Sequence, residues 1–272
     1  VAIAAELLIK QDPDAVMVVL PADHHITDPE EFRKILITAI AKAESGDELV
    51  TIGIKPDRPE TGFGYIHADR SKSEEVENNN VERVLAFKEK PSEDVAQEFL
   101  DSGDYYWNSG MFIWKAETVL KEFERQLPDM YELTKVASQD LYTDLHKASI
   151  NEFYHDCESI SIDYGVMEGA KRVFVVPGDF GWNDVGSWTA VYELGDKDND
   201  GNVTQAIHAS FAGSQNNLIV SGSEKMISLV GLDNVAIVET EDAILVCNLE
   251  QAQGVKEIVE QLKEREDLKG FL

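Results

Sequence analysis

Residues 16–54, VMVVLPADHHITDPEEFRKILITAIAKAESGDELVTIGI, decide the fold. The run Val16-Met17-Val18-Val19-Leu20 is apolar without interruption, which suits a strand buried on both faces of a parallel sheet. Pro21-Ala22-Asp23-His24-His25 follows as the loop at its carboxyl end. Asp28 then caps a helix, Pro29 takes its first position and Glu31 completes a capping box. Phe32, Ile35, Leu36 and Ala39 form the buried stripe of that helix, and Ser45-Gly46 ends it. Leu49 to Ile54 is the next strand. The order strand, loop, helix, strand is a βαβ unit, so the chain is expected to be an α/β protein with a mainly parallel sheet.

Working outward, Ala2, Ala5, Leu8 and Ile9 give a helical apolar stripe that runs into Asp12-Pro13-Asp14. Downstream, Lys55 to Asn80 is Gly-rich and polar. Asn78-Asn79-Asn80 reads as a turn before a strand from Val81 to Phe87, and Ser92 opens a helix reaching about Ser102. Met111 to Trp114 is a buried strand. Glu117 to Leu127 and Met130 to Lys147 read as helices separated by Pro128, and Val173 to Val176 is a further strand. At Asp196 to Asn202 the composition turns polar, which predicts a domain boundary near residue 200, with domains 1–200 and 201–272. Beyond it, the runs 217–220, 226–230, 235–238 and 243–247 are short, β-rich and closely spaced by turn residues. They predict a small all-β layer or a coil of β-helix type, closed by an amphipathic helix from Glu250 to Lys263. No clean internal repeat is visible.

The 272 residues carry 52 acids against 24 bases, a net charge of −28. Such a chain repels nucleic acid and anionic membranes. No apolar run approaches the roughly 20 residues of a membrane span, and no signal peptide is legible, so a soluble cytoplasmic protein is expected. Cys157 and Cys247 lack metal-ligand spacing and read as free thiols. The acidity sharpens one point. A phosphate ligand would need cations supplied locally, as Mg²⁺ or as a few placed Lys and Arg side chains.

Ligands of open α/β sheets bind beyond the carboxyl ends of the strands, and several polar motifs fall there. Asp23, directly after the first strand, could hold Mg²⁺ against phosphate oxygens, or simply cap a turn. Asp184 lies in Gly181-Trp182-Asn183-Asp184-Val185-Gly186-Ser187-Trp188, where glycine allows close approach and tryptophan fills a wall. It could equally cap the next helix. Phe87-Lys88-Glu89-Lys90-Pro91 offers Glu89 as an acceptor for sugar hydroxyls and Lys90 as a phosphate partner, or an exposed edge of alternating charge. Thr61 to Ile66 bares backbone around Gly64. Asn108, in Trp107-Asn108-Ser109-Gly110-Met111, can both donate and accept. The lone Gly-x-Gly is not a dinucleotide-binding fingerprint.

Taken in order, LPADH at 20–24, ETGFGYI at 60–66, FKEKP at 87–91, WNSGMF at 107–112, SIDYGVME at 161–168 and WNDVGSW at 182–188 resemble the bacterial mannose-1-phosphate guanylyltransferases. The motifs cover residues 15 to about 190, and the region past 200 resembles that family's small C-terminal β domain more weakly. The resemblance implies a Rossmann-like nucleotidyltransferase domain plus a β-rich domain like a left-handed β-helix, ending in a helix. It implies that GTP and mannose 1-phosphate give GDP-mannose and pyrophosphate by in-line attack of the sugar phosphate, with Mg²⁺ as cofactor and no covalent enzyme intermediate.

Carried over by motif, Asp23 and Asp184 would bind Mg²⁺, and Lys90 would meet the sugar phosphate. Glu89 and Asn108 would hold the mannose hydroxyls, with the backbone at Gly64 and the adjoining Tyr65 lining the same site. Asp163 would orient the pocket from a neighbouring loop. Lys88 stands where the family often has an apolar residue. The family's Gly-rich loop with an Arg and a Lys is not in this sequence, so the chain is expected to be truncated at its N-terminus and inactive alone. A homodimer is the assembly to test. Two alternatives stay open at this point: another sugar-1-phosphate nucleotidyltransferase, and a non-catalytic nucleotide-sugar sensor.

Overall fold

The structure is a computed structural model that describes residues 1–271, and the chain divides into two compact units, one from Val1 to Trp182 and one from Asn183 onward. In the first unit α1 (Ala2–Gln11), β1 (Val16–Val19) and the short β2 (His25–Ile26) precede α2 (Pro29–Glu44) and β3 (Leu49–Ile54). The long hairpin β4 (Gly64–Val76) and β5 (Asn79–Glu89) follows, then α3 (Glu93–Ser102) and β6 (Tyr105–Lys115). The helices α4 (Ala116–Gln126), α5 (Pro128–Gln139) and α6 (His146–Asp156) lead to β7 (Val173–Gly178). The short β8 (Trp182–Asn183) falls at the division between the units.

The six strands of the main sheet run in the order β1-β6-β3-β7-β5-β4. The sheet is mixed. β1, β3, β7 and β4 share one direction, but β6 and β5 run against them, so β3 and β7 are the only parallel neighbours. β3 is buried at every position, as its unbroken apolar run requires. Val50, Ile52 and Ile54 face α2 through Ile35, Ala39 and Ala43. Leu49, Phe112 and Trp114 face α1 and α4 through Ala2, Ala5, Val119 and Phe123.

An additional β4–β6 pairing closes β6, β3, β7, β5 and β4 into a ring. Ile66, Ala68, Tyr106 and Val175 fill it, with Val84 and Phe87 packed against them. Gly53 sits on this wall because a Cβ there would lie 2.6 Å from Val175 Cγ2 and 2.8 Å from Tyr106 Cβ.

Several local expectations are revised. The capping box of α2 is one-sided. Asp28 accepts from the Glu31 N–H at 2.9 Å, but the Glu31 carboxylate pairs with Lys34 at 2.7 Å. The hairpin turn is Glu77-Asn78, both at positive φ, rather than residues 78–80. This is the primed geometry that suits the right-handed twist of paired strands. The helix expected over 130–147 stops at Gln139 and α6 begins at His146. At Asp140 a turn replaces the helix: its carbonyl accepts from the Thr143 N–H at 2.9 Å and the Thr143 hydroxyl at 3.0 Å, and its carboxylate accepts from the Ser149 hydroxyl of α6 at 2.5 Å.

The second unit holds α7 (Trp188–Leu194), then β9 (Val203–Gln205), β10 (His208–Ala212), β11 (Leu218–Ser221), β12 (Met226–Val230), β13 (Val235–Glu239) and β14 (Ile244–Asn248), followed by a 3-10 turn (Leu249–Gly254), α8 (Val255–Glu264) and a second 3-10 turn (Glu266–Phe271). β9, β11 and β13 stack in parallel, with Val203, Leu218 and Ala236 in register, and β10 pairs with β12 in the same sense. A buried asparagine ladder joins the coils. Asn217 donates to Asn202 Oδ1 at 3.0 Å and to Leu232 O at 2.9 Å, while its own Oδ1 accepts from the Val235 N–H at 2.9 Å. The repeat is real in structure but hard to see in sequence, because the coils are of unequal length and the third has Val235 where the first two have Asn202 and Asn217.

Glu239 is buried at the end of β13, where Lys225, Ser221 and Ser223 all donate to its carboxylate. These donors hold it down to about 2, from an ordinary 4.5. A depressed folded value means that the stabilisation is present above the unfolded value and lost as pH falls. The second unit should therefore lose stability between about pH 4.5 and 2, and Glu239→Gln should flatten that part of the acid-unfolding curve. An unchanged curve in the variant would remove Glu239 as its cause.

Candidate active site

Five of the residues singled out in the sequence cluster around Gly64. Gly64 opens β4 directly across from Glu89, which closes β5. A Cβ on Gly64 would lie 2.6 Å from Glu89 Oε2 and 3.5 Å from Asn108 Cβ, so only glycine leaves the carboxylate where it is. Asn108, on β6, donates from Nδ2 to Asp163 Oδ1 at 2.7 Å, and its Oδ1 accepts from the Gly110 N–H at 3.2 Å. That second bond lies in the irregular stretch where the register of β6 on β3 shifts, and Gly110 there has a φ of 68° that favours glycine.

Asp163 is held by an unusual element. Residues Asp163–Met167 form a π-helix, closed by the Glu168 N–H donating to Asp163 O at 2.9 Å. Single π turns of this kind recur at functional sites. Lys90 stands beside Glu89, Nζ to Oε1 3.7 Å, with its N–H on Phe63 O at 3.2 Å. Its φ is +44°, an uncommon conformation for a residue before proline, which fixes where the side chain leaves the strand. Burial pushes the Glu89 carboxyl above the ordinary glutamate range; Lys90 opposes this, while Asp163 and Glu168 add to it.

Tyr65 does not join them through its side chain. Its ring is fully buried in the core and its hydroxyl donates to Glu60 O at 2.9 Å, so it presents only backbone to the pocket. The alternation of a strand dictates this: Gly64 and Tyr65 face opposite sides of the sheet.

Asp23 lies on the loop after β1, exposed and, among the described residues, without a hydrogen bond or ion pair. Its neighbour His24 accepts at Nδ1 from Trp182 Nε1 at 3.0 Å. Trp182 meets Phe63 edge-on at 5.4 Å, and Phe63 meets Trp107 at 5.2 Å. This aromatic wall ties the Asp23 loop to the segment that carries Gly64. Arg58 covers the far side of Trp107 at 5.1 Å. The sequence did not announce Phe63, Trp107 and Arg58 in this role, since they come from separate segments that only the fold brings together.

Asp184 belongs to the second unit. Its Oδ1 accepts from the Gly186 N–H at 3.1 Å, next to Val185, which sits at a φ of +52°. Ser187 caps α7, accepting from the Ala190 N–H at 3.2 Å, so Asp184 is not the helix cap. No group of three or more His, Cys, Asp or Glu among the described residues could enclose a metal ion. No helix among them is long and apolar enough to cross a membrane.

An α/β unit with a polar pocket at strand ends, followed by a parallel β stack, defines a class, and comparison with known proteins specifies it. Residues 1–201 match the nucleotidyl transferase family and residues 214–262 match the mannose-phosphate isomerase/GMP-like β-helix domain. The chain belongs to the nucleotidyl transferase family.

It is 41% identical over 265 residues to the mannose-1-phosphate guanylyltransferase of Salmonella montevideo, covering 97% of this chain and 55% of that protein. It is 40% identical over 266 residues to the alginate biosynthesis protein AlgA of Pseudomonas aeruginosa, covering 96% and 53%. The chain thus spans about half the length of the curated relatives it matches. A crystal structure from Thermus thermophilus, described as a mannose-1-phosphate geranyltransferase, superposes with a TM-score of 0.80 at 31% identity, covering 96% of this chain and 73% of that one.

Proposed function

We propose that the chain is a mannose-1-phosphate guanylyltransferase, forming GDP-mannose and pyrophosphate from GTP and mannose 1-phosphate. The observation that carries this reading is the pocket of Gly64, Glu89, Asn108 and Asp163, with Lys90 at its edge. A carboxylate and an amide held rigidly over a bare glycine suit vicinal hydroxyls, and the adjacent ammonium suits a phosphate. Asp163 fixes the amide orientation of Asn108: with Nδ2 spent on Asp163 and Oδ1 on Gly110, Asn108 offers its second N–H and a second lone pair to a ligand. Nothing in this arrangement supplies an activated nucleophile, in keeping with direct transfer in which positioning and charge neutralisation carry the rate.

Asp23 is the residue of the first unit that would hold Mg²⁺. Its carboxylate is exposed, and Mg²⁺ is commonly held by one or two carboxylates together with phosphate oxygens, so a closed protein cage is not required. Bound there, the ion would neutralise phosphate charge, which matters in a chain of net charge −28.

The test is calorimetric binding of mannose 1-phosphate, together with pyrophosphate release from GTP in the presence of Mg²⁺. A protein that binds no mannose 1-phosphate would overturn the reading. A pH series adds a signature. Glu89 accepts hydroxyls best when ionised, and its raised value means that sugar affinity should begin to fall above 4.5, the ordinary glutamate value, as the solution is acidified. Glu89→Gln should remove that dependence; a pH profile identical in the variant would assign the titration to another group.

A further inference from the structure

The two halves of the proposed site are fixed by different means. Gly64, Glu89 and Asn108 sit on paired strands. Asp23 sits on a loop and, among the described residues, makes no hydrogen bond or ion pair that would hold it. Its place is therefore set by its neighbours, and these are tied to the segment after β7. The Asp28 N–H donates to Phe180 O at 3.0 Å, the Thr27 N–H donates to Gly181 O at 3.3 Å, and His24 Nδ1 accepts from Trp182 Nε1 at 3.0 Å. The fit is close at Gly181, where a Cβ would lie 1.5 Å from Thr27 Oγ1. Trp182 is the side chain on which both halves meet. Its N–H holds His24, and its ring meets Phe63 edge-on at 5.4 Å. Phe63 precedes Gly64, and its carbonyl accepts from the Lys90 N–H at 3.2 Å. A phenylalanine at 182 would complete the same aromatic stack. What the indole adds is a donor, and that donor is spent on His24.

We infer that Trp182 is a positioning residue, whose hydrogen bond to His24 holds the Asp23 loop at a fixed distance from the sugar pocket. This rests on the reading above, in which Asp23 holds Mg²⁺ against phosphate oxygens and the pocket holds mannose 1-phosphate. In-line transfer needs the attacking oxygen within about 3–3.5 Å of the phosphorus, and a misplacement of about 1 Å can cost about 100-fold in rate. With the sugar held on strands and the metal carboxylate on a loop, that tolerance falls on whatever holds the loop. The indole N–H is already engaged with His24, so deleting it takes no contact from the sugar. The loss should appear in the rate and not in sugar affinity.

Three variants decide the matter beside the wild-type chain. Trp182→Phe keeps the ring and removes the donor, His24→Leu removes the acceptor, and His24→Asn restores one, since its Oδ1 stands where Nδ1 stood. Pyrophosphate release and amide hydrogen exchange over residues 22–28 are measured on each. Trp182→Phe and His24→Leu should each lower kcat by about tenfold or more, with KM for mannose 1-phosphate within about twofold. The double variant should fall no further, because both changes break one bond, and His24→Asn should regain most of the loss. Exchange at the Thr27 and Asp28 amides should quicken by about 2- to 10-fold in the first two variants and not in His24→Asn. Equal losses in kcat and sugar affinity, a His24→Asn as impaired as His24→Leu, or unchanged exchange in Trp182→Phe would each overturn the inference. A wild type that binds no mannose 1-phosphate would instead strike the reading beneath it, and exchange would then decide alone whether Trp182 holds the loop.

Discussion

Replacing Glu89 by alanine is expected to weaken mannose 1-phosphate by about 10- to 150-fold while leaving GTP within about twofold. The magnitude follows from the loss of hydrogen bonds to a charged acceptor, about 1.5–3 kcal/mol. The selectivity follows from placement: Glu89 shares its pocket with Gly64 and Asn108 rather than with any group assigned to the nucleotide. A trivial explanation, unfolding, is separable. Burial raises the Glu89 carboxyl above its ordinary range, so the ionised group is held at a cost in the folded chain. Its removal should leave the urea midpoint unchanged or slightly higher. Steady-state kinetics with each substrate varied in turn is the measurement. Equal losses for mannose 1-phosphate and GTP would sink the assignment of Glu89 to the sugar.

The βαβ unit of residues 16–54 was legible because its signals are local: an unbroken apolar run, a capped helix start and a glycine stop. The elements they predicted are present as β1, α2 and β3. The antiparallel insertion of β6 between β1 and β3 was not legible. Met111 to Trp114 reads as one more buried strand, and nothing in its composition says that it runs against its neighbours. Strand direction is set by what closes the sheet, and here β4 of the long hairpin pairs back onto β6, a non-local event that no local pattern announces.

The site divides in the same way. Glu89, Lys90 and Asn108 could be named from motifs because the chemistry resides in their side chains. Their juxtaposition depends on the register of Gly64 with Glu89, which no local pattern contains. Tyr65 shows the limit of motif transfer by proximity: one step along a strand moves a side chain from the pocket into the core. Asp163 was named from the Ser-Ile-Asp-Tyr segment, yet the π-helix that aims it was unforeseen, because one extra residue in a turn leaves no compositional trace.

The scaffold beneath Asn108 supplies the second large effect. Trp114→Ala should cost about 3–5 kcal/mol of unfolding free energy, the range for removing a buried tryptophan. Trp114 is fully buried on β6, in register with Met17 of β1 and Leu49 of β3. It therefore sits where the inserted antiparallel strand joins the two strands that flank it. Its ring stacks on Phe112 with centroids 5.6 Å apart and packs in the cluster formed with α1 and α4. Its indole Nε1 is buried with no hydrogen-bond partner, so the residue is kept for shape rather than for its polar atom. Trp114→Phe should consequently cost less than about 2 kcal/mol, since it leaves a smaller void and deletes an unsatisfied donor. Urea unfolding followed by circular dichroism measures both variants, and in each the affinity for mannose 1-phosphate of the protein that remains folded should be unchanged. If phenylalanine proves as costly as alanine, the indole nitrogen has a role that packing does not describe.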